Sequence, residues 1–192
     1  VEARVPVVLG QEGTIDVNRL RRNLLSSMPM CFNLFGMLRA YKQASARILS
    51  KVTGLDVARL EEIEVEWTPQ GKHPLGDRTA FDAWVTYRDS GGSRCFFGVE
   101  TKYTEPFTRR VYDRPRYHAV SAWDEAGFLP GAAHRLKGEA TNQLWRNALL
   151  AVAVRRNGAF KQGALVVVGL EDDPHIADAL TVFRTVHART EN

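Results

Sequence analysis

Two apolar runs joined by a short glycine-containing loop constrain this chain more than any other feature. Phe81 to Tyr87 and Cys95 to Glu105 are rich in aromatic and β-branched residues, and Asp89-Ser90-Gly91-Gly92-Ser93 lies between them. That pattern predicts an antiparallel hairpin, because the loop needs glycine where φ is positive. Three polar residues set the hairpin apart from plain scaffold. Asp82 opens the first strand, and Glu100 and Lys102 stand two apart in the second. Side chains alternate along a strand, so Glu100 and Lys102 project from one face. A carboxylate and an ammonium among Phe97, Val99 and Tyr103 are costly to bury unless a function uses them.

The remaining sequence predicts a fold around that hairpin. With 192 residues the chain is long enough for one domain with its own core. Residues 1–15 read as an extended arm. Asp16 to Ser27 reads as a helix, capped by Thr14 or Asp16, with Val17, Leu20, Leu24 and Leu25 at helical spacing. Pro29 interrupts, and a second helix is expected from Met30 to Val52, ended by Gly54. Asp56 to Glu61 reads as a helical turn. Glu62 to Trp67 alternates acid with apolar residue, a half-buried strand with Ile63, Val65 and Trp67 inward and Glu62, Glu64 and Glu66 opposite. Short helical pieces are expected over Val120 to Lys137. A helix then runs from Glu139 to Arg156 and places Glu139, Gln143 and Asn147 on one stripe. The run Ala164 to Leu170 reads as a central strand covered on both faces, and Pro174 to His187 as a closing helix. The order predicts an α/β or α+β chain, a mixed central sheet with helices on both sides.

Composition narrows the function classes. Lys plus Arg exceed Asp plus Glu by 26 to 22, a formal charge of +4 that is compatible with a polyanionic partner. Cys31 and Cys95 are too few for a disulfide framework or a zinc cage and read as small buried hydrophobes, which suits a reducing cytoplasmic setting. No segment approaches the roughly 20 apolar residues of a membrane span. After Glu105 the chain turns basic, with Arg109, Arg110, Arg114 and Arg116 interleaved with Phe107, Tyr112 and Tyr117. Arginine and aromatic residues in a loop suit phosphate contact and base stacking, and they suit a packed, salt-bridged loop as well.

Asp82, Glu100 and Lys102 are the residue types of metal-dependent phosphodiester hydrolysis. Hard carboxylates bind Mg²⁺ through oxygen, and a neighbouring lysine can orient or deprotonate water or hold a phosphate oxygen. In this order, Asp82 followed by Glu100-Thr101-Lys102 resembles the PD-(D/E)XK nuclease superfamily. The strings Asp77 to Ala83, Val99 to Glu105, Gln143 to Asn147 and Ser26 to Gly36 resemble a subfamily of bacterial restriction endonuclease-like proteins. The resemblance implies a restriction-endonuclease-like αβββαβ core with Asp82 and Glu100 as metal ligands, Lys102 as the catalytic lysine and Gln143 facing the cleft. It implies Mg²⁺, with Mn²⁺ able to substitute, and a nucleic acid substrate, DNA in a restriction, repair or mobile-element context. Glu66 is the further acid placed to reach a metal, and Arg109, Arg110, Tyr112 and Asn147 are the expected nucleic-acid contacts. The pattern departs from the family at Phe81, which replaces the proline before the acid. Asp77, after Pro74-Leu75-Gly76, is the rival first acid; Asp82 is preferred because it enters the strand directly. Cutting both strands of a duplex takes two active sites, hence an expected homodimer. The rival readings are a catalytically silent binding module of the same fold and an exposed Glu–Lys pair on a scaffold hairpin. The resemblance also leaves room for a family domain shortened at its C-terminus.

Overall fold

The computed structural model describes residues 4–10, 15–158 and 160–188. Its sheet has four strands in the order β1 (Arg59–Trp67), β2 (Phe81–Arg88), β3 (Arg94–Thr101) and β4 (Gln162–Val168). The first three pair antiparallel, and β4 runs parallel to β3. One layer of helices comprises α1 (Arg4–Gly10), α2 (Val17–Arg22), α3 (Ser27–Ala40) and α4 (Lys42–Thr53). The other comprises α5 (Pro115–Ser121), α6 (Ala132–Leu136), α7 (Asn142–Asn157) and α8 (Pro174–Arg184). This is a restriction-endonuclease-like mixed α/β fold, and α7 is the crossover between the parallel strands.

Strand alternation divides the core in two. Ala83, Val85, Tyr87, Cys95, Phe97 and Val99 pack with Cys31, Phe32, Phe35 and Leu49 of the first layer. Trp84 and Phe96 point the other way, onto Trp145, Leu149 and Leu150 of α7. The hairpin loop closes as the glycines require, with Gly92 at φ 78° and Ser93 N–H donating to Asp89 Oδ1 at 2.7 Å.

Several expectations change. The N-terminal arm is helical over Arg4–Gly10, with Val8 buried; Thr14, the alternative cap, lies outside the described residues. The cap is Asp16, which accepts from Arg19 N–H at 3.0 Å, and α2 ends at Arg22 because Asn23 leaves helical geometry. Pro29 does not interrupt. It sits in the first turn of α3, where a missing N–H costs nothing, and the break comes at Tyr41 instead. The expected helical turn at Asp56 to Glu61 is not helical: its second half is strand, since β1 begins at Arg59. The helix predicted from Glu139 begins at Asn142, so Glu139 is not on it. The valine-rich run is not central. Its strand pairs only with β3, at the edge of the sheet, and its residues 163–168 are half-buried.

Glu66 explains the most informative departure. It is the one non-glycine residue with positive φ (50°) among the described residues, and it interrupts the alternation of β1. Ile63 and Val65 lie on the first-layer face as expected. Trp67 instead joins the second, stacking on Trp84 with ring centroids 4.1 Å apart and on Phe81 at 5.8 Å. Phe81, opposite Trp67 in the register, crosses with it.

Candidate active site

The site lies where the hairpin leaves the sheet. β3 ends at Thr101, and Lys102 continues the ladder by donating its N–H to Val168 O at 2.8 Å. Alternation places Glu100 toward α7, and the carboxylate is almost wholly buried at 1 % exposure. Its Oε1 accepts from Lys102 Nζ and from Gln143 Nε2, the latter at 2.7 Å, and its Oε2 accepts from Asn147 Nδ2 at 2.5 Å. Gln143 and Asn147 are one helical turn apart on α7, so the expected stripe does meet the hairpin's acidic end. Gln143 is oriented in turn, because its Oε1 accepts from Thr108 N–H at 2.9 Å. Lys102 is buried as well, its ammonium 5.1 Å from the Phe107 ring centroid.

Asp82 approaches from β2. Its Oδ2 accepts from both the N–H and the Oγ1 of Thr101, at 2.6 and 2.7 Å, and its backbone carbonyl accepts from the Cys31 thiol at 3.3 Å. Burial pushes Glu100 up to about 7, helped by the negative charge of Asp82 and opposed by Lys102. Burial likewise raises the Cys31 thiol, and the charges of Asp82, Glu66 and Glu100 act on it in the same direction. Asp82 and Glu100 thus act on one another at one end of β2 and β3, and Glu66 of β1 acts with them on Cys31.

That concentration of negative charge at oxygen donors is chemically suited to a hard divalent cation. Asp82 Oδ1 takes part in none of the hydrogen bonds that hold Oδ2. Among the described residues, however, no three His, Cys, Asp or Glu side chains form a ready-made metal cage, so Glu66 does not complete one with Asp82 and Glu100.

The other predicted residues are distributed differently. Arg109 and Arg110 are exposed on the loop between β3 and α5. Tyr112 is 37 % exposed, and the Arg146 guanidinium sits 4.6 Å from its ring centroid. Asn147 is not on that surface: it is buried and its amide is committed to Glu100. Phe107 and Tyr117, expected among the stacking aromatics of the loop, are also buried. Asp77, the rival acid, belongs to a separate network. It accepts from Tyr117 Oη, Thr79 N–H and Thr79 Oγ1 at 2.5 to 2.9 Å. Burial pushes its pKa upward, but these bonds outweigh it and hold the carboxyl below its usual range.

Sequence reading missed the clamp that fixes the strand exit. Glu105 Oε1 accepts from Arg19 Nη2 at 2.8 Å, from Ser27 N–H at 2.9 Å and from Ser27 Oγ at 2.5 Å, tying α2 and α3 to the residues just after Lys102. It also missed Thr101, whose position between Glu100 and Lys102 gives it the opposite face and a view of Asp82.

A family model described as the PD-(D/E)XK nuclease superfamily matches residues 1–191, nearly the whole chain. The chain belongs to the PD-(D/E)XK nuclease superfamily. No curated protein and no solved structure matches it. In this PD-(D/E)XK chain no helix of the described residues is long and apolar enough to cross a membrane.

Proposed function

We propose that the chain is a Mg²⁺-dependent endonuclease that hydrolyses phosphodiester bonds in DNA. The single observation that carries the reading is the environment of Glu100: a buried carboxylate held by Lys102, Gln143 and Asn147 beside a second carboxylate, Asp82. A structural ion pair needs neither the second acid nor an amide on each oxygen.

Asp82 and Glu100 would hold the cation, with Glu66 a further acid; Mn²⁺ should substitute. Such an ion, when bound, polarises the phosphate and lowers the pKa of a bound water. The chain's own groups do the rest. Lys102 carries an ammonium with little access to bulk water, and it can hold a phosphate oxygen or pass a proton to or from the attacking water. Gln143 and Asn147 act through Glu100, holding one oxygen each so that the carboxylate does not rotate. Thr101 holds Asp82 by Oδ2 alone, with two hydrogen bonds. Arg109 and Arg110, exposed on the adjoining loop, are placed to meet phosphates, and Tyr112 offers the ring face that Arg146 leaves open. Two copies would be needed to cut both strands of a duplex.

Supercoiled and linear DNA incubated with Mg²⁺ or Mn²⁺ tests the assignment. Glu100→Gln and Lys102→Ala should each lower the cleavage rate by about three decades or more while the far-ultraviolet dichroism stays native. If both variants cut like wild type, the site is elsewhere. If wild type binds DNA and never cuts it, the chain is a silent binding module of this fold.

A further inference from the structure

From Val17 to Leu55 the sequence contains no aspartate and no glutamate, yet it contains seven arginines and lysines. The segment is α2, α3 and α4, three of the four helices of one layer over the sheet. Arg19, Arg21 and Lys42 are engaged, Arg19 by Glu105 and Lys42 by the backbone carbonyl of Glu61. Arg22, Arg39, Arg47 and Lys51 are all exposed, and no carboxylate among the described residues pairs with them. Arg47 and Lys51 stand four apart on the outer face of α4, where like charges repel. Other basic side chains do meet acids, as Arg59, Arg88 and Arg94 meet Glu61 and Lys161 meets Asp89.

This layer is physically joined to the proposed active site. Arg22 and Leu25 follow the Arg19 that clamps Glu105, and Leu25 O accepts from Thr104 Oγ1 at 2.8 Å, two residues beyond Lys102. From there α3 runs 14 residues away from the site, about 21 Å, which is the rise of roughly six base pairs. Arg39 lies at its far end, and Arg47 and Lys51 follow on α4.

We infer that the α2–α4 layer is a second nucleic-acid contact surface, one that grips the phosphate backbone of the duplex flanking the point of cleavage. The inference rests on the nuclease reading for its choice of polyanion. The surface is distinct from the Arg109–Arg110 loop, which belongs to the other side of the sheet exit. Backbone phosphates explain both halves of the observation: arginine and lysine supply counter-charges, and any acid in the layer would repel the duplex. Contacts of this kind carry no base preference.

Binding of the full chain to a labelled 30-base-pair duplex, measured in EDTA over a range of salt, tests the surface without turnover. Arg47→Ala/Lys51→Ala should lower the slope of log affinity against log salt by about two, equally for unrelated sequences. Arg155→Ala/Arg184→Ala removes the same charge from α7 and α8 and should leave the slope unchanged. Equal slopes for wild type and the α4 variant, or equal losses in both double variants, overturn the inference. So does an α4 variant that loses binding to anionic lipid vesicles while its DNA slope is retained. A wild-type protein that shows these slopes and cleaves no nucleic acid in Mg²⁺ or Mn²⁺ would sink the nuclease reading and leave the surface standing.

Discussion

Beside the chemical task proposed for it, Glu100 carries a cost to the fold. In the unfolded chain its carboxyl titrates near 4.5, and in the folded protein burial and Asp82 raise it to about 7. Below pH 4.5 both states hold the proton. Between 4.5 and 7 the folded state keeps it and the unfolded chain has lost it, so stability falls as pH rises through that window. The shift corresponds to about 3 kcal/mol. In metal-free buffer, wild type should therefore lose more stability than Glu100→Gln between pH 4.5 and 7, as read by urea midpoints. Parallel curves for the two proteins would show that Glu100 titrates normally. Asn147 is the complementary case. Asn147→Ala strips one donor from a buried carboxylate oxygen, and leaving that oxygen unpaired should cost about 1–3 kcal/mol.

The hairpin shows how much was legible from residue pattern and what packing then decided. Gly98 faces Trp84 across the ladder, and a methyl group there would lie 2.5 Å from the Phe81 ring. Gly98→Ala should destabilise by about 1–3 kcal/mol through overpacking, and the loss should shrink in the Phe81→Leu background. Additive losses in a thermal-melt cycle would show that the two do not share the space. The strands themselves, the loop and the shared face of Glu100 and Lys102 were readable because alternation is local. So was the Gln143–Asn147 stripe, although only the folded chain shows that it meets Glu100. Trp67 was misplaced because a single backbone angle at Glu66 reverses the alternation, and no residue type announces that. The edge position of β4 was hidden for a different reason: a continuous apolar run reports burial on two faces and says nothing about strand neighbours. Asn147 looked like a surface amide because a sequence shows the stripe and not what covers it.

At the scale of the molecule, the site exists only when both helical layers are packed on the sheet. Glu100 is held by α7 of one layer, while Cys31 and the Ser27 end of α3 from the other hold the backbone at Asp82 and the side chain of Glu105. A cation that binds Asp82 and Glu100 therefore binds the native state alone, and binding must raise the stability of the whole fold by mass action. At ten times its dissociation constant the gain is about 1.4 kcal/mol, which for a chain of this length moves the melting midpoint by roughly 3–6 °C. Titrating Mg²⁺ or Mn²⁺ into the protein during thermal melts should give a saturable rise of that size. Asp82→Asn should remove it, since it deletes a charge the cation needs, and Arg109→Ala should keep it, since that side chain lies outside the carboxylate pair. The same rise in Asp82→Asn would place the cation elsewhere on the protein. The expected pH dependence of the titration follows from Glu100: near pH 5.5 its proton competes with the cation, so the apparent affinity should strengthen as pH rises to 8 even while the metal-free fold becomes less stable.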